Sequence, residues 1–280
     1  MKQTARTRRM VEGALLVSLA TVLSIFKIVE LPYGGAITFA SMLPIVLLSY
    51  RHGLRWGLGG GVVYAILQQL LGLNNLTYFT TWQSVLAIIL LDYLLAFTLV
   101  GIGGIFRSAV RSQSLSLAFG AATVCVLRYF CHVISGATVW AGLSIPTEAA
   151  LVYSLGYNAT YMLPEGIVTV AAAWYLGRLI DFRKERPVRL VKGQDDPAAH
   201  LLGLFAGLFA FGGLVADVSL VFARLQNAES GAFDITGLAA PSFAESVWLP
   251  VLAVSAGCAL VVVSLLLLRR RVLAKGQETA

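Results

Sequence analysis

Long apolar segments alternate with short charged ones along the whole chain. Eight of them approach the length that a bilayer demands of a spanning helix, and they lie at 10–29, 35–50, 54–73, 83–105, 113–135, 149–177, 199–223 and 247–268. They lack the ten-residue alternation of transmembrane β-strands. Because a bilayer interior admits only helices or closed barrels, the pattern predicts an all-α polytopic membrane protein. The second segment is short for a span, and Pro44 makes it irregular.

The composition supports this assignment. Of the 280 residues, 58% are hydrophobic and only 12% are charged, whereas soluble domains carry about a quarter charged residues. A soluble enzyme is therefore close to excluded. The net charge of +7 is attributed to membrane orientation, so no nucleic-acid partner is expected. The three cysteines lack metal-binding spacing, and we expect neither a metal nor a cofactor.

The basic residues predict the orientation of the chain in the membrane. With a cytoplasmic N-terminus, eighteen of the 21 Lys and Arg residues fall in cytoplasmic segments, as the positive-inside rule requires. Both termini are then cytoplasmic. We expect a six-span domain at 1–180, a charged cytoplasmic linker containing two prolines at 181–198, and an extra transmembrane hairpin with a basic tail at 199–280.

Ionisable residues inside spans are costly and indicate function by default. The fourth span contains Asp92, followed by Tyr93. In the functional interpretation, Asp92 is the counter-charge for a cationic substrate. The alternative is a structural ion pair with Arg128 of the fifth span, which would lock two helices together.

Four residues near the end of the fifth span recur at intervals of four. They are Arg128, His132, Gly136 and Trp140, and this spacing places them on one helical face. This face would suit an aromatic ligand with polar edges, because it combines a basic group, an imidazole, an indole and a glycine that admits close approach. Trp140 alone would more often be an anchor at the membrane interface.

The sixth span carries an unusual density of polar residues. Ser154, Asn158, Tyr161 and Glu165 share one face, flanked by Tyr153. Such residues also hold helices together by hydrogen bonds, and we favour that structural role for Glu165. On the first span, Ala14 and Ser18 form a small-xxx-small face that lets another helix approach closely.

Four stretches of the chain together resemble a known family. They occur in order as LPYGGAITFASMLPIVLLSYRHGLRWGLGGG (31–61), LLDYLLAFTLVGIGGIFR (90–107), LRYFCHVISGATVW (127–140) and YSLGYNATYMLPE (153–165). They resemble the ThiT family, the thiamine-binding S-components of energy-coupling factor (ECF) transporters, over about residues 8–180. The resemblance implies a six-helix bundle in a prokaryotic plasma membrane. It also implies thiamine capture at the outer face and docking onto a transmembrane coupling protein with two ATPase subunits.

The resemblance also implies a role for individual residues. Asp92 matches an acid that faces the thiazolium cation, and Arg128 matches a nearby basic position. Trp140 matches an aromatic residue that stacks on the ligand. The remaining implied positions line the site or bond the aminopyrimidine, and they are His132, Gly136, Tyr153, Ser154 and Asn158. Tyr93 is added as the neighbour of Asp92, and Ala14 and Ser18 resemble the face that docks the coupling protein.

This chain departs from the family pattern in two places. Some members carry a Trp and a Glu where this chain reads GGAITF, so Tyr33 or Trp82 is expected to supply an aromatic group instead. The hairpin at 199–268 lies outside the six-span pattern.

Two further functions remain as alternatives. One is an autonomous secondary transporter coupled to protons through Asp92, His132 or Glu165, although we find no inverted repeat of the kind many such transporters have. The other is an intramembrane enzyme with His132 and Asp92 as base and acid, which no catalytic motif supports.

Overall fold

The computed structural model describes residues 2–31, 34–141, 150–190, 197–222 and 244–278. Tyr33 lies outside these ranges. The contacts divide the chain into two compact units, residues 1–191 and 192–280. Both are predominantly helical, as the hydrophobic pattern predicts.

Among its described residues, the first unit contains six long helical segments, a 3₁₀-helix at Leu73–Tyr78 and two short strand pairs. Its helices are α1 (Lys2–Ile25), α2 (Leu43–His52), α3 (Leu54–Leu71), α4 (Trp82–Arg107), α5 (Gln113–Thr138) and α6 (Ala150–Leu179). Its strands are β1 (Lys27–Glu30), β2 (Ala36–Thr38), β3 (Ile180–Asp181) and β4 (Val188–Arg189). Each pair, β1–β2 and β3–β4, is antiparallel.

The second unit is a helical hairpin. Helix α7 (Pro197–Phe222) packs on α8 (Leu249–Glu278), which follows a π-helical turn at Ala244–Trp248. Most of the described apolar side chains in α8 are exposed and none is buried, as expected of a helix surrounded by lipid. Within the described residues, four helices are long and apolar enough to cross a membrane: α4, α5, and one segment in each helix of this hairpin.

The predicted second span is not one helix. Residues 36–38 form strand β2, and helix α2 begins only at Leu43, with Pro44 in its first turn. Proline favours the first turn of a helix because it has no N–H to donate. The ten residues of α2 extend about 15 Å, about half the thickness of the hydrocarbon core.

Glycines allow α3 and α4 to cross in backbone contact. A Cβ at Gly57 would lie 2.2 Å from the carbonyl oxygen of Gly101, and a Cβ at Gly61 would lie 2.7 Å from that of Thr98. Small residues serve this purpose in membrane proteins, where packing replaces the hydrophobic effect between helices. Tight packing here fixes α4, which carries Asp92.

Candidate substrate-binding site

Asp92 lies in an irregular part of α4. Residues Ile89–Leu95 form a π-helical segment between two α-helical ones, a rare conformation that recurs at functional sites. The Asp92 carboxylate accepts hydrogen bonds from the Ser135 hydroxyl (2.8 Å) and from Nε1 of Trp140 (3.1 Å), and Nδ1 of His132 lies 2.9 Å from it. Three side chains from one neighbouring segment therefore converge on a single carboxylate.

Helix α5 and the turn after it supply those three side chains. His132 and Ser135 lie within the helix, but the helix ends at Thr138. Trp140 follows it in a turn, with its backbone N–H 3.2 Å from the Ser135 carbonyl oxygen. The prediction that Trp140 continues the helical face of Arg128, His132 and Gly136 is therefore wrong, because that face ends before residue 140.

Aromatic side chains surround Trp140. Its ring meets Phe79 edge to face at 4.7 Å between centroids, and Tyr78 lies 5.9 Å away. Both belong to the segment between α3 and α4. Neither residue is among the site residues predicted from the sequence, and nor is Ser135, although the aromatic content of LTYFTTW (76–82) is a usable signal. The predicted substitute Trp82 is instead 71% exposed.

The polar face of α6 meets α5 at His132. Ser154 donates to the Val133 carbonyl oxygen at 2.8 Å, and Nδ2 of Asn158 donates to the His132 carbonyl oxygen at 3.3 Å. Tyr161 donates to Oδ1 of Asn158 at 2.6 Å. Ser154, Asn158 and Tyr161 are all buried, so these bonds fix α6 against the part of α5 that contacts Asp92.

The other predicted site residues have different surroundings. The Arg128 guanidinium lies 4.2 Å from the centroid of the Phe97 ring and donates to the sulfur of Met42 at 3.4 Å. It therefore does not form the ion pair with Asp92 that the structural alternative required. The Tyr93 hydroxyl donates to the Gly72 carbonyl oxygen at 3.2 Å and accepts from the Asn75 amide at 2.9 Å.

Gly136 and Tyr153 are the remaining predicted site residues. Gly136 is buried within α5, one helical turn after His132. Tyr153 is half-buried against the hydrophobic core at the start of α6. The structure thus brings Asp92, His132 and Trp140 into direct contact, and joins Ser154 and Asn158 to them through the α5 backbone.

Glu165 is a buried acid that holds strand β2. Its carboxylate accepts from the backbone N–H of Thr38 at 2.5 Å and from the Thr38 hydroxyl at 2.7 Å, and its side chain is almost completely buried. Gly35, just before β2, packs so closely on Tyr161 that a Cβ there would lie 2.8 Å from the ring. These contacts agree with a structural role for Glu165.

The opposite end of the unit is basic. There Arg51 forms an ion pair with Glu12 and donates to the Phe182 carbonyl oxygen at 2.9 Å. Arg183 donates to the Tyr50 hydroxyl at 2.9 Å. This end lies at the start of α5, whereas the Asp92 cluster lies at the end of α5. The cluster and the basic end are therefore about a helix length apart, at opposite ends of the unit.

The predicted docking residues lie on the surface of the first unit. Ala14 and Ser18 are both exposed, while Gly13 and Val17 on the neighbouring face of α1 are buried. The arrangement leaves the small-residue face of α1 outside the packed core of this unit.

A helical membrane protein with a carboxylate, an imidazole and an indole in contact at one end has the features of a transport or solute-binding protein. The particular family follows from similarity to known protein families. The profile of the thiamine transporter protein family (Thia_YuaJ) matches residues 10–181. The chain belongs to this family.

Individual relatives agree with the family assignment. The thiamine transporter ThiT of Bacillus subtilis is 35% identical over 179 residues, covering 60% of this chain and 89% of the relative. ThiT of Lacticaseibacillus paracasei is 30% identical over 158 residues, covering 53% and 73%. The solved structure of ThiT from Listeria monocytogenes has the same fold, with a TM-score of 0.51 at 21% identity, over 62% of this chain and 94% of that one. The family match ends where the linker begins.

Proposed function

We propose that this protein captures thiamine for uptake, with Asp92, His132 and Trp140 at the centre of its binding site. The observation that carries the proposal is the contact of an intramembrane carboxylate with an imidazole and an indole. Membership of a thiamine transporter family supports the ligand and argues against the enzyme hypothesis.

The chemistry of thiamine suits this cluster. The thiazolium ring is a permanent cation, which a carboxylate stabilises strongly in a partly desolvated pocket. Aromatic faces add cation–π attraction and stacking, and Trp140 with Phe79 and Tyr78 offers them. The aminopyrimidine needs a few directed hydrogen bonds. Our candidates for these bonds are His132, Asn158, Ser154 and Tyr153. The proposed site also includes Tyr93, Gly136 and Arg128.

Binding to the purified full-length chain tests this site. We expect thiamine to bind tightly, and Asp92→Asn, His132→Ala and Trp140→Ala each to weaken binding, as measured by calorimetry. Asp217→Asn in the second unit is the matched control, since Asp217 is also an acid in an apolar helix. Unchanged affinity in all three site variants would exclude the proposed site.

We further propose that the protein is the S-component of an ECF transporter in a prokaryotic plasma membrane. It would take thiamine from outside and deliver it inward with a coupling protein and two ATPases, which dock on the face of α1 that carries Ala14 and Ser18. Exposure of both residues supports this. Replacing each by Leu should block uptake in cells while leaving thiamine binding to the purified protein intact.

The hydrogen-bonding contact between His132 and Asp92 favours one alternative, a proton-coupled secondary transporter. Buried acid–imidazole pairs can relay protons in such proteins. Uptake into vesicles that contain only this protein separates the two mechanisms. Uptake without ATP that stops when the proton gradient is collapsed would support proton coupling, and dependence on ATP and partner proteins would support the S-component.

A further inference from the structure

An apolar groove runs along the junction of α5 and α6, outside the candidate thiamine site. Its volume is about 680 Å³. Small side chains on both helices create it, since larger ones would fill the space between the two ridges. They are Ala118, Ala122 and Cys125 from α5 and Ala159, Gly166 and Ala171 from α6.

The lining of the groove offers almost nothing to a polar solute. Its one phenol, Tyr129, already donates its hydroxyl hydrogen to the Leu155 carbonyl oxygen at 3.0 Å. The lining of α6 extends from Ala159 to Trp174, which corresponds to roughly 22 Å along the helix. An elongated apolar ligand fits a groove of this length and character.

One end of the groove carries a positive charge. Trp174 lines that end, and the Arg178 guanidinium lies 5.0 Å from the centroid of its ring. Gly177 packs against Ser114, so Arg178 lies at the start of α5, which is the basic end of this unit. A tryptophan beside an arginine is typical of the boundary between lipid tails and headgroups.

The acids of the basic end are largely engaged elsewhere. Glu12 pairs with Arg51, Glu185 pairs with Arg8, and the Asp181 carboxylate accepts the backbone N–H of Arg183 at 3.0 Å. Arg178 therefore presents its charge at the end of the groove without a carboxylate partner among the described residues.

We propose that this groove binds an anionic phospholipid, with one acyl chain along α5 and α6 and the phosphate beside Arg178. An acyl chain gains van der Waals contacts in the groove but no hydrophobic driving force, because lipid tails are as apolar as the lining. Since competing lipids gain the same contribution, selectivity must come from the headgroup and Arg178. The charge complementarity favours a phospholipid over a partner helix.

Fluorescence quenching by brominated lipids tests this site, because a bromine atom quenches only a tryptophan that it contacts. The full-length protein is placed in vesicles of phosphatidylcholine that contain either brominated phosphatidylglycerol or brominated phosphatidylcholine. The Trp174 signal is the difference between the native protein and Trp174→Phe. We expect brominated phosphatidylglycerol to quench this signal at a mole fraction at least about threefold lower than brominated phosphatidylcholine.

Two substitutions separate the headgroup from the groove. Arg178→Gln should abolish the preference for phosphatidylglycerol, whereas Arg270→Gln, in the basic tail of the second unit, should leave it unchanged. Ala122→Leu should weaken quenching by both lipids, because the larger side chain fills the groove. Unchanged thermal unfolding of each variant shows that the fold is retained.

Three results would overturn the proposal. The first is equal quenching of Trp174 by both lipids. The second is a preference for phosphatidylglycerol that survives Arg178→Gln. The third is a dimer in the native mass spectrum together with a Trp174 signal that neither lipid quenches. The last result would assign the groove to a second copy of the chain. Because none of these measurements involves thiamine, they stand apart from the tests of the proposed function.

Discussion

Replacing Asp92 by Asn removes a charge from the proposed thiamine site while keeping the shape of the side chain. Oδ2 accepts from both Ser135 and Trp140, while Oδ1 lies against His132. An asparagine oxygen can take the place of Oδ2, and its amide can donate to the neutral imidazole in the other tautomer. The hydrogen-bond network therefore survives, and the variant should remain folded.

The expected loss of affinity follows from Coulomb's law. A cation about 4 Å from a carboxylate gains about 4 kcal/mol at an effective dielectric constant near 20. The asparagine dipole recovers part of this, so we expect thiamine binding to weaken by about 2–4 kcal/mol, or roughly 30- to 1000-fold. Isothermal calorimetry on the purified protein measures the change.

A neutral analogue of thiamine, with an uncharged aromatic ring in place of the thiazolium, supplies the control. Its affinity should be nearly the same for the native protein and for Asp92→Asn, because the lost interaction is with the charge. Equal losses for thiamine and the neutral analogue, or a loss of less than threefold for thiamine, would refute the assignment of Asp92 as the counter-charge.

Three further predictions concern stability, measured by thermal unfolding in detergent. Glu165→Gln should destabilise the protein by about 1–3 kcal/mol, because the carboxylate accepts two buried hydrogen bonds from strand β2. An unchanged unfolding temperature in this variant would show that Glu165 has no structural role. Burial lowers the pKa of His52, and the positive charges of Arg51 and Arg9 lower it further. The Glu12 carboxylate, 3.0 Å away, raises this pKa but does not outweigh the other effects. The unfolded chain then binds protons more readily, so stability should fall as the pH drops below about 6.5, and His52→Gln should reduce that dependence. Gly57→Ala should destabilise strongly, because its Cβ would overlap a backbone oxygen, whereas Gly59→Ala should be harmless, because nothing lies within 4 Å of the added atom.

The sequence alone predicts those features that depend on the helical repeat. Ser154, Asn158, Tyr161 and Glu165 are spaced for one face of a helix, and all four are buried. The helical, membrane-embedded class follows from the hydrophobic segments. Apart from the second segment, which is not one helix, the predicted spans and the cytoplasmic termini stay predictions, since they depend on the orientation in a bilayer.

Other features depend on tertiary contacts that a one-dimensional pattern does not contain. Helix α5 ends before Trp140, yet the indole still reaches Asp92 through a turn. The π-helical segment at Ile89–Leu95 changes which way α4 presents its side chains, and hydrophobic periodicity gives no sign of it. Arg128 packs over Phe97 rather than pairing with Asp92, and such choices depend on which groups the folded chain brings near.

Purification of the chain from its native membranes, followed by mass spectrometry of the bound ligand and bound proteins, tests the central proposal most directly. We predict one thiamine for each chain, and copurification of a transmembrane coupling protein with two ATPases. Recovery of a different small molecule at the same stoichiometry, or failure to bind thiamine even when it is supplied, would contradict the proposal.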